Sequence, residues 1–227
     1  MPSPAPVLDI DVISDVMCPW CYIGKRRLER ALAERPDIAV DVRWRPFQLD
    51  TSIPREGMDR KDYLERKFGP ERADEVYDAI KETGAQEGIP FAFDRIEKSP
   101  NTIDAHRVVR WAAAGGNQQV AVENLFKGYF TEGRDLTDAN YLAGVAVEAG
   151  LDREIVERLL AGDADRDRIS EEVQLAQRMG VQGVPCFIFA GKYVVLGAQG
   201  PAILVKAIDQ AISDLKSQTG ATAGKDA

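Results

Sequence analysis

Cys18-Pro19-Trp20-Cys21 is where this sequence concentrates its chemistry. Two thiols separated by two residues come within reach of one another when the segment opens a helix, and they can then cycle between dithiol and disulfide. The flanking residues predict that placement. A strand over 7–13 alternates Val7, Asp9, Asp11 and Ile13 with Leu8, Ile10 and Val12, Pro19 suits the first turn of a helix, and residues 22–34 carry Ile23, Leu28, Ala31 and Leu32 at helical spacing. At a helix N-terminus the unpaired N–H groups and the macrodipole favour negative charge on sulfur. Cys18 is therefore expected to face solvent and those N–H groups as the nucleophile. Cys21, one turn inward, is expected to be the resolving thiol that attacks a mixed disulfide and releases the substrate. Pro19 and Trp20 would then border the substrate. Lys25, Arg26 and Arg27 follow either as local positive charge supporting a thiolate or as a solvated helix face.

Two other uses of the pair compete. A zinc site made from Cys18, Cys21, Cys186 and His106 is a legitimate ligand set by count, but it would draw every cysteine and the sole histidine from four distant segments. A structural disulfide closing so short a loop removes little chain entropy. Redox exchange needs no metal, and no phosphate-binding glycine fingerprint follows a strand, so neither flavin nor nicotinamide is expected. Electrons would pass to or from an external thiol, such as glutathione or a thioredoxin system.

The elements that must hold this site fall into three blocks. The strand over 7–13, the helix and a second strand within 38–49 (Val40, Val42, Trp44, Phe47) form a βαβ unit. The period then turns helical: 59–68, 70–87, 102–114, 118–130, 138–149, 153–160 and 165–179 carry 3.6-residue patterns, with one extended piece near 91–93. Strand character returns at 186–190 and 193–196 around Gly191-Lys192, the spacing of a hairpin, and a last helix covers 201–215. The expected architecture is α/β: a discontinuous domain over 1–58 and 180–218, an all-helical insertion over 59–179, and a small, polar tail over 219–227 that frays.

Composition narrows the function classes. The chain has 227 residues with 29 Lys and Arg against 37 Asp and Glu, a formal net charge of −8. An acidic surface repels phosphate backbones and anionic lipid, so neither nucleic acid nor membrane is an expected partner. No apolar run approaches the roughly 20 residues of a membrane helix. Residues 1–6 hold no basic residue and no apolar stretch like that of a secretion signal. The expected compartment is the cytoplasm, where thiols are kept reduced and a cysteine pair is catalytic or metal-binding rather than a staple. The sequence assigns no oligomeric state.

Strand, Cys-Pro-Trp-Cys, helix, and a distant Gly183-Val184-Pro185 leading into a strand together resemble the thioredoxin fold with the helical insertion of the DsbA family. The run from Ser14 to Arg26, Asn101-Thr102 with Ala105-His106-Arg107, and Gly180 to Pro185 resemble its FrnE-like branch. The resemblance covers about residues 7–216. It implies that Val184-Pro185 is a cis peptide beside the cysteine pair whose backbone pairs with an extended substrate, and that Asn101 and His106 line the cleft. Without it, Gly-Val-Pro is only a turn, and His106 is a residue of a helix–helix contact. Asn101 is expected to cap the helix, with Asp104 in its first turn. Cys186 departs from the pattern, and strand alternation points it into the core, away from Pro185. The same inserted fold serves kappa-type glutathione transferases and 2-hydroxychromene-2-carboxylate isomerases, where serine usually replaces the first cysteine. The main expectation is a thiol–disulfide oxidoreductase or isomerase acting on protein or small-molecule thiols. A glutathione-dependent isomerase or transferase acting on a small aromatic substrate is the alternative.

Overall fold

Leu8, Ile10 and Val12 are wholly inaccessible, as the alternation of the first strand requires of residues that face a helix. A computed structural model describes residues 7–69 and 73–223 and makes this strand, β1 (Leu8–Ser14), the centre of the fold. Helix α1 (Pro19–Ala33) connects it to β2 (Val40–Pro46), which pairs with β1 in parallel register from Leu8↔Val40 to Ser14↔Pro46. A short two-residue pair, β3 (Met58–Asp59) with β4 (Lys98–Ser99), lies apart from this sheet. On the other side of β1 lies β5 (Cys186–Phe189), antiparallel, followed by the hairpin partner β6 (Tyr193–Leu196). The sheet order is β2-β1-β5-β6. With the terminal helix this is the β-α-β then β-β-α order of a thioredoxin fold.

Between the two halves run α2 (Arg60–Phe68), α3 (Ala73–Gln86), α4 (Ile103–Gly115), α5 (Gln118–Glu132), α6 (Ala139–Glu148), α7 (Arg153–Ala161) and α8 (Arg166–Arg178), and α9 (Pro201–Ala223) closes the chain. Several helices begin where a short polar side chain satisfies the first free N–H groups. Asp59 accepts from Lys61 and Asp62, Asn117 from Val120, Asp138 from Asn140, and Asp152 from Ile155.

The two sheet faces have different cores. Leu8, Ile10, Val12, Phe187 and Phe189 pack with Cys21, Ile23 and Leu28 of α1 and with Leu204 and Ile208 of α9. The opposite face gathers Ile13, Phe47 and Cys186 against Ala176 and Val181, at the end of α8. The inserted helices reach the first core through aromatic rings. Tyr22 of α1 stacks on Phe126 of α5 at 5.1 Å between centroids and meets Phe91 edge-on at 6.2 Å.

Several details differ from the sequence reading. Near residues 91–93 the chain makes a 3₁₀ turn (Phe93–Arg95), not an extended piece. The β3–β4 pair was not expected, being too short to carry an alternation. Helix α9 continues beyond 215 to Ala223, and residues 70–72 and the last four of the tail lie outside the described residues. Among the described residues no helix is long and apolar enough to cross a membrane.

Candidate active site

Cys18 occupies the N-cap of α1 with extended backbone (φ −92°, ψ 113°), and Pro19 takes the first helical position. The turn is closed by Cys18 N–H on Asp15 O and Cys21 N–H on Cys18 O, each at 3.0 Å. Both cysteines are free thiols. Cys21 is completely buried, and burial pushes its thiol well above the ordinary range. The adjoining Cys18, by hydrogen bond and charge, raises it further, while the Ser14 hydroxyl and the Asp15 backbone oppose the rise. Cys18 does not face solvent as expected: the residue is 4% exposed, and its side chain makes no capping bond to the helix. The exposed member of the motif is Trp20, at 38%, whereas Pro19 is buried.

Opposite the pair, the Val184-Pro185 peptide is cis. The Cys18 Sγ lies 3.8 Å from the Val184 carbonyl oxygen. Gly24, on the inner face of α1, makes this closeness possible. A Cβ there would stand 2.8 Å from Pro185 Cγ and 3.1 Å from Phe187 Cζ, so the absence of a side chain lets the helix rest on the proline.

Behind the motif sits Asp15, a wholly buried carboxylate. Its Oδ2 accepts from Leu49 N–H at 2.8 Å and its Oδ1 from Met17 N–H at 3.4 Å. His106 Nε2 donates to Phe47 O at 2.9 Å and stands 3.5 Å from Asp15 Oδ1. His106 therefore holds the 47–49 segment and the carboxylate together. A cleft of about 450 Å³ lies beside it, bordered by Trp44, Arg110 and Glu172. Asn101 sits further along the same segment. Its Nδ2 donates to Ile53 O at 2.8 Å, and its Oδ1 accepts from Ile103 N–H at 3.2 Å and Gln48 Nε2 at 3.4 Å. Thr102, not Asn101, takes the N-cap of α4, although the Asn101 side-chain Oδ1 still accepts from the Ile103 N–H, one of the first of that helix.

The basic run after the motif is neither free positive charge nor a solvated face. Lys25 is 4% exposed and is held between Glu29 and Glu123. Arg26 pairs with the same two carboxylates, and Tyr22 donates to Glu123 at 3.0 Å. Arg27 pairs with Glu87 at 2.7 Å and also reaches the Ala198 carbonyl. The basic partners hold the Glu123 carboxyl below its usual range, against the opposing effect of burial. Every one of these cations is neutralised by an acid from a neighbouring helix or turn.

The structure thus brings Cys18, Cys21, Val184 and Pro185 together, sets Pro19 and Trp20 on the same helix start, places His106 one residue behind them through Asp15, and leaves Asn101 further out. Cys186 is 1% exposed on the other face of the sheet, so the four residues weighed as zinc ligands are not gathered. Among the described residues no group of three or more His, Cys, Asp and Glu side chains is arranged to hold a metal. Ser14, Asp15 and Gly24 are the participants that sequence reasoning did not single out. All three lie within or beside the recognised motif, and their proximity to it was the only available signal.

Known proteins share this fold over nearly the whole chain. The protein is 32% identical to the probable DsbA oxidoreductase SCO1869 of Streptomyces coelicolor, whose crystal structure superposes with a TM-score of 0.81 over 90% of this chain and 89% of that one. It is 27% identical over 203 residues to the uncharacterized protein YwbO of Bacillus subtilis (strain 168), covering 88% of this chain and 94% of that protein. The fold is also that of the cytosolic disulfide reductase DsbM of Pseudomonas aeruginosa, solved with GSH: 19% identity, TM-score 0.63, 93% and 98% coverage. The model of the DSBA-like thioredoxin domain matches residues 9–209, which spans the cysteine motif, all the inserted helices and the cis-proline segment, and the chain belongs to that family.

Proposed function

We propose that the protein is a dithiol–disulfide oxidoreductase in which Cys18 is the nucleophile and Cys21 the resolving thiol. The observation that carries this reading is the meeting of two free thiols at the start of α1 with the Val184 carbonyl, 3.8 Å from Cys18 Sγ. In the reductive direction the Cys18 thiolate attacks one sulfur of a substrate disulfide. A Cys18–substrate bond forms, the substrate S–S bond breaks, and the departing thiolate takes a proton. Cys21, having lost its proton, then attacks the Cys18 sulfur. The Cys18–Cys21 disulfide forms and the second substrate thiolate leaves, so the substrate gains the two electrons that the dithiol gives up. Oxidation of a substrate dithiol is the same path in reverse.

The depth at which each thiol lies supports the division of roles. Cys21, deeper and costlier to ionise, suits an intramolecular attack, in which the high effective concentration of a neighbouring sulfur offsets a small thiolate fraction. The Val184-Pro185 edge and the exposed Trp20 supply backbone and aromatic contacts to an extended thiol substrate. Glutathione or a thioredoxin system is the external thiol this reading assigns, and no metal or organic cofactor takes part.

The test is a mass-resolved thiol titration across redox buffers. Wild type should lose two hydrogens as Cys18 and Cys21 join, Cys18→Ala should not, and Cys21→Ala should retain substrate as a stable mixed disulfide on Cys18. Failure of wild type to form the Cys18–Cys21 disulfide would overturn the proposal. Glutathione-dependent isomerisation by a Cys18→Ser variant would point instead to the isomerase chemistry of related folds.

A further inference from the structure

Ser14 ends β1, four residues before Cys18, and is 4% exposed. Its Oγ and that of Ser99 are the buried side-chain oxygens among the described residues that find no hydrogen-bond partner. Buried hydroxyls are ordinarily paired, and an unpaired one carries a desolvation cost that something must offset. Strand alternation places Ser14 with Leu8, Ile10 and Val12, on the face covered by α1, where Cys21 belongs to the same core. There its hydroxyl favours the ionised form of the Cys21 sulfur, against the opposing effects of burial and Cys18. The other titratable groups around Cys21 are few. Cys18 sits on the same helix, Asp15 lies in the turn below it with His106 of α4 behind, and Lys25 one turn on is taken up by Glu29 and Glu123. Cys186 of β5 points to the opposite face.

We propose that Ser14 is a positioning residue for the resolving step: its hydroxyl, idle in the dithiol, donates to the Cys21 sulfur once that sulfur carries negative charge. The proposal rests on the dithiol reading above and adds to it the group that readies Cys21. Ser14 gives no proton away. Cys21 loses its proton to the thiolate released in the first exchange or to water, and the Ser14 O–H only holds the resulting charge until the sulfur bonds to Cys18. Because the hydroxyl has no other bond to lose, its removal should harm the reaction without harming the fold.

The test uses the reduced full-length protein and an aromatic disulfide that releases a coloured thiolate. Attack by Cys18 frees the first equivalent and resolution by Cys21 the second, so the two steps are read separately by stopped flow. Ser14→Ala should leave the first phase unchanged and slow the second about tenfold near neutral pH, the effect of one hydrogen bond to a charged group. Its pH profile for the second phase should move upward by about one unit, and Ser14→Thr, which keeps the hydroxyl, should restore both. Its Tm should be at least that of wild type. An unchanged second phase, an equal slowing of both phases, or a lowered Tm would each overturn the assignment. Release of only one equivalent by wild type, with no Cys18–Cys21 disulfide by mass, would overturn the dithiol reading and this proposal together. Two wild-type phases with an identical Ser14→Ala trace would remove Ser14 alone.

Discussion

Gly24→Ala is a substitution that propensity and packing judge in opposite ways. In a helix interior, alanine is favoured over glycine by about 1 kcal/mol, so the exchange in α1 ought to stabilise. The added Cβ, however, would stand 2.8 Å from Pro185 Cγ and 3.1 Å from Phe187 Cζ. Carbon atoms settle at about 3.5–4.0 Å, so α1 and Pro185 must part by roughly 0.7–1.2 Å. Neither neighbour is free to move, since Phe187 is wholly buried and the Pro185 carbonyl is tied to Gly197 N–H at 2.8 Å. Overpacking of this kind costs about 1–3 kcal/mol, which leaves a net loss of roughly 0–2 kcal/mol and a Tm lowered by up to about 8 °C. The larger effect is on chemistry: a displacement near 1 Å between Cys18 and the Val184-Pro185 edge should slow substrate disulfide reduction by about 10–100-fold. The control is Gly144→Ala in α6, where the nearest atom to a new Cβ is Arg153 Nη2 at 3.9 Å. That variant should gain about 1 kcal/mol and keep full activity. Denaturant melts and turnover of both variants decide the matter. A Gly24→Ala protein as stable as the control and fully active would refute the argument that Gly24 exists to seat the helix on Pro185.

Two further outcomes follow from the buried charges. Because folding raises the Cys21 pKa, its contribution to stability is fully present below the ordinary thiol value of about 8.5 and is lost as pH rises beyond it, by at most about 1.4 kcal/mol per pH unit. Urea melts of the reduced protein between pH 7 and 10 should show this loss, and Cys21→Ala should lack part of it. The remaining slope belongs to Cys186, also raised by burial, and above about pH 10 to the buried tyrosines. Glu123→Gln should destabilise by about 1–3 kcal/mol in denaturant melts. It leaves the buried Lys25 with Glu29 alone, yet Glu123 is partly exposed and does not carry the full cost of a buried pair. An unchanged midpoint would mean that Glu29 suffices.

The parts of the fold legible in the sequence are those whose signal is local. The alternation of Leu8, Ile10 and Val12, the proline at the helix start, and the Cys-Pro-Trp-Cys spacing each state their role within a few residues. What sequence reasoning misread depends on partners far along the chain. Lys25 looks solvated until Glu123, 98 positions away, closes on it. Asp15 draws no reading of its own until Leu49 N–H, 34 positions on, is found bonded to it. Cys18 looks exposed at a helix start until the Val184 segment covers it, across 166 positions. The β3–β4 pairing escaped for another reason: two residues per strand are too few to alternate.

The grip of the inserted helices on α1 has a consequence for how a substrate is admitted. Glu123 of α5 holds Lys25 and Arg26, Glu87 just past α3 holds Arg27 and Arg30, and Tyr22 is stacked on Phe126. For these helices to swing away from the cysteines, two acids would have to be stripped of their cations and an aromatic stack split in the same motion. The insertion is therefore a fixed jaw rather than a door. On the proposed dithiol reading, discrimination between substrates would fall to the static outline of the mouth framed by Trp20 and the Val184 segment, and turnover should be as indifferent to solvent viscosity as a lock is to the weight of its key.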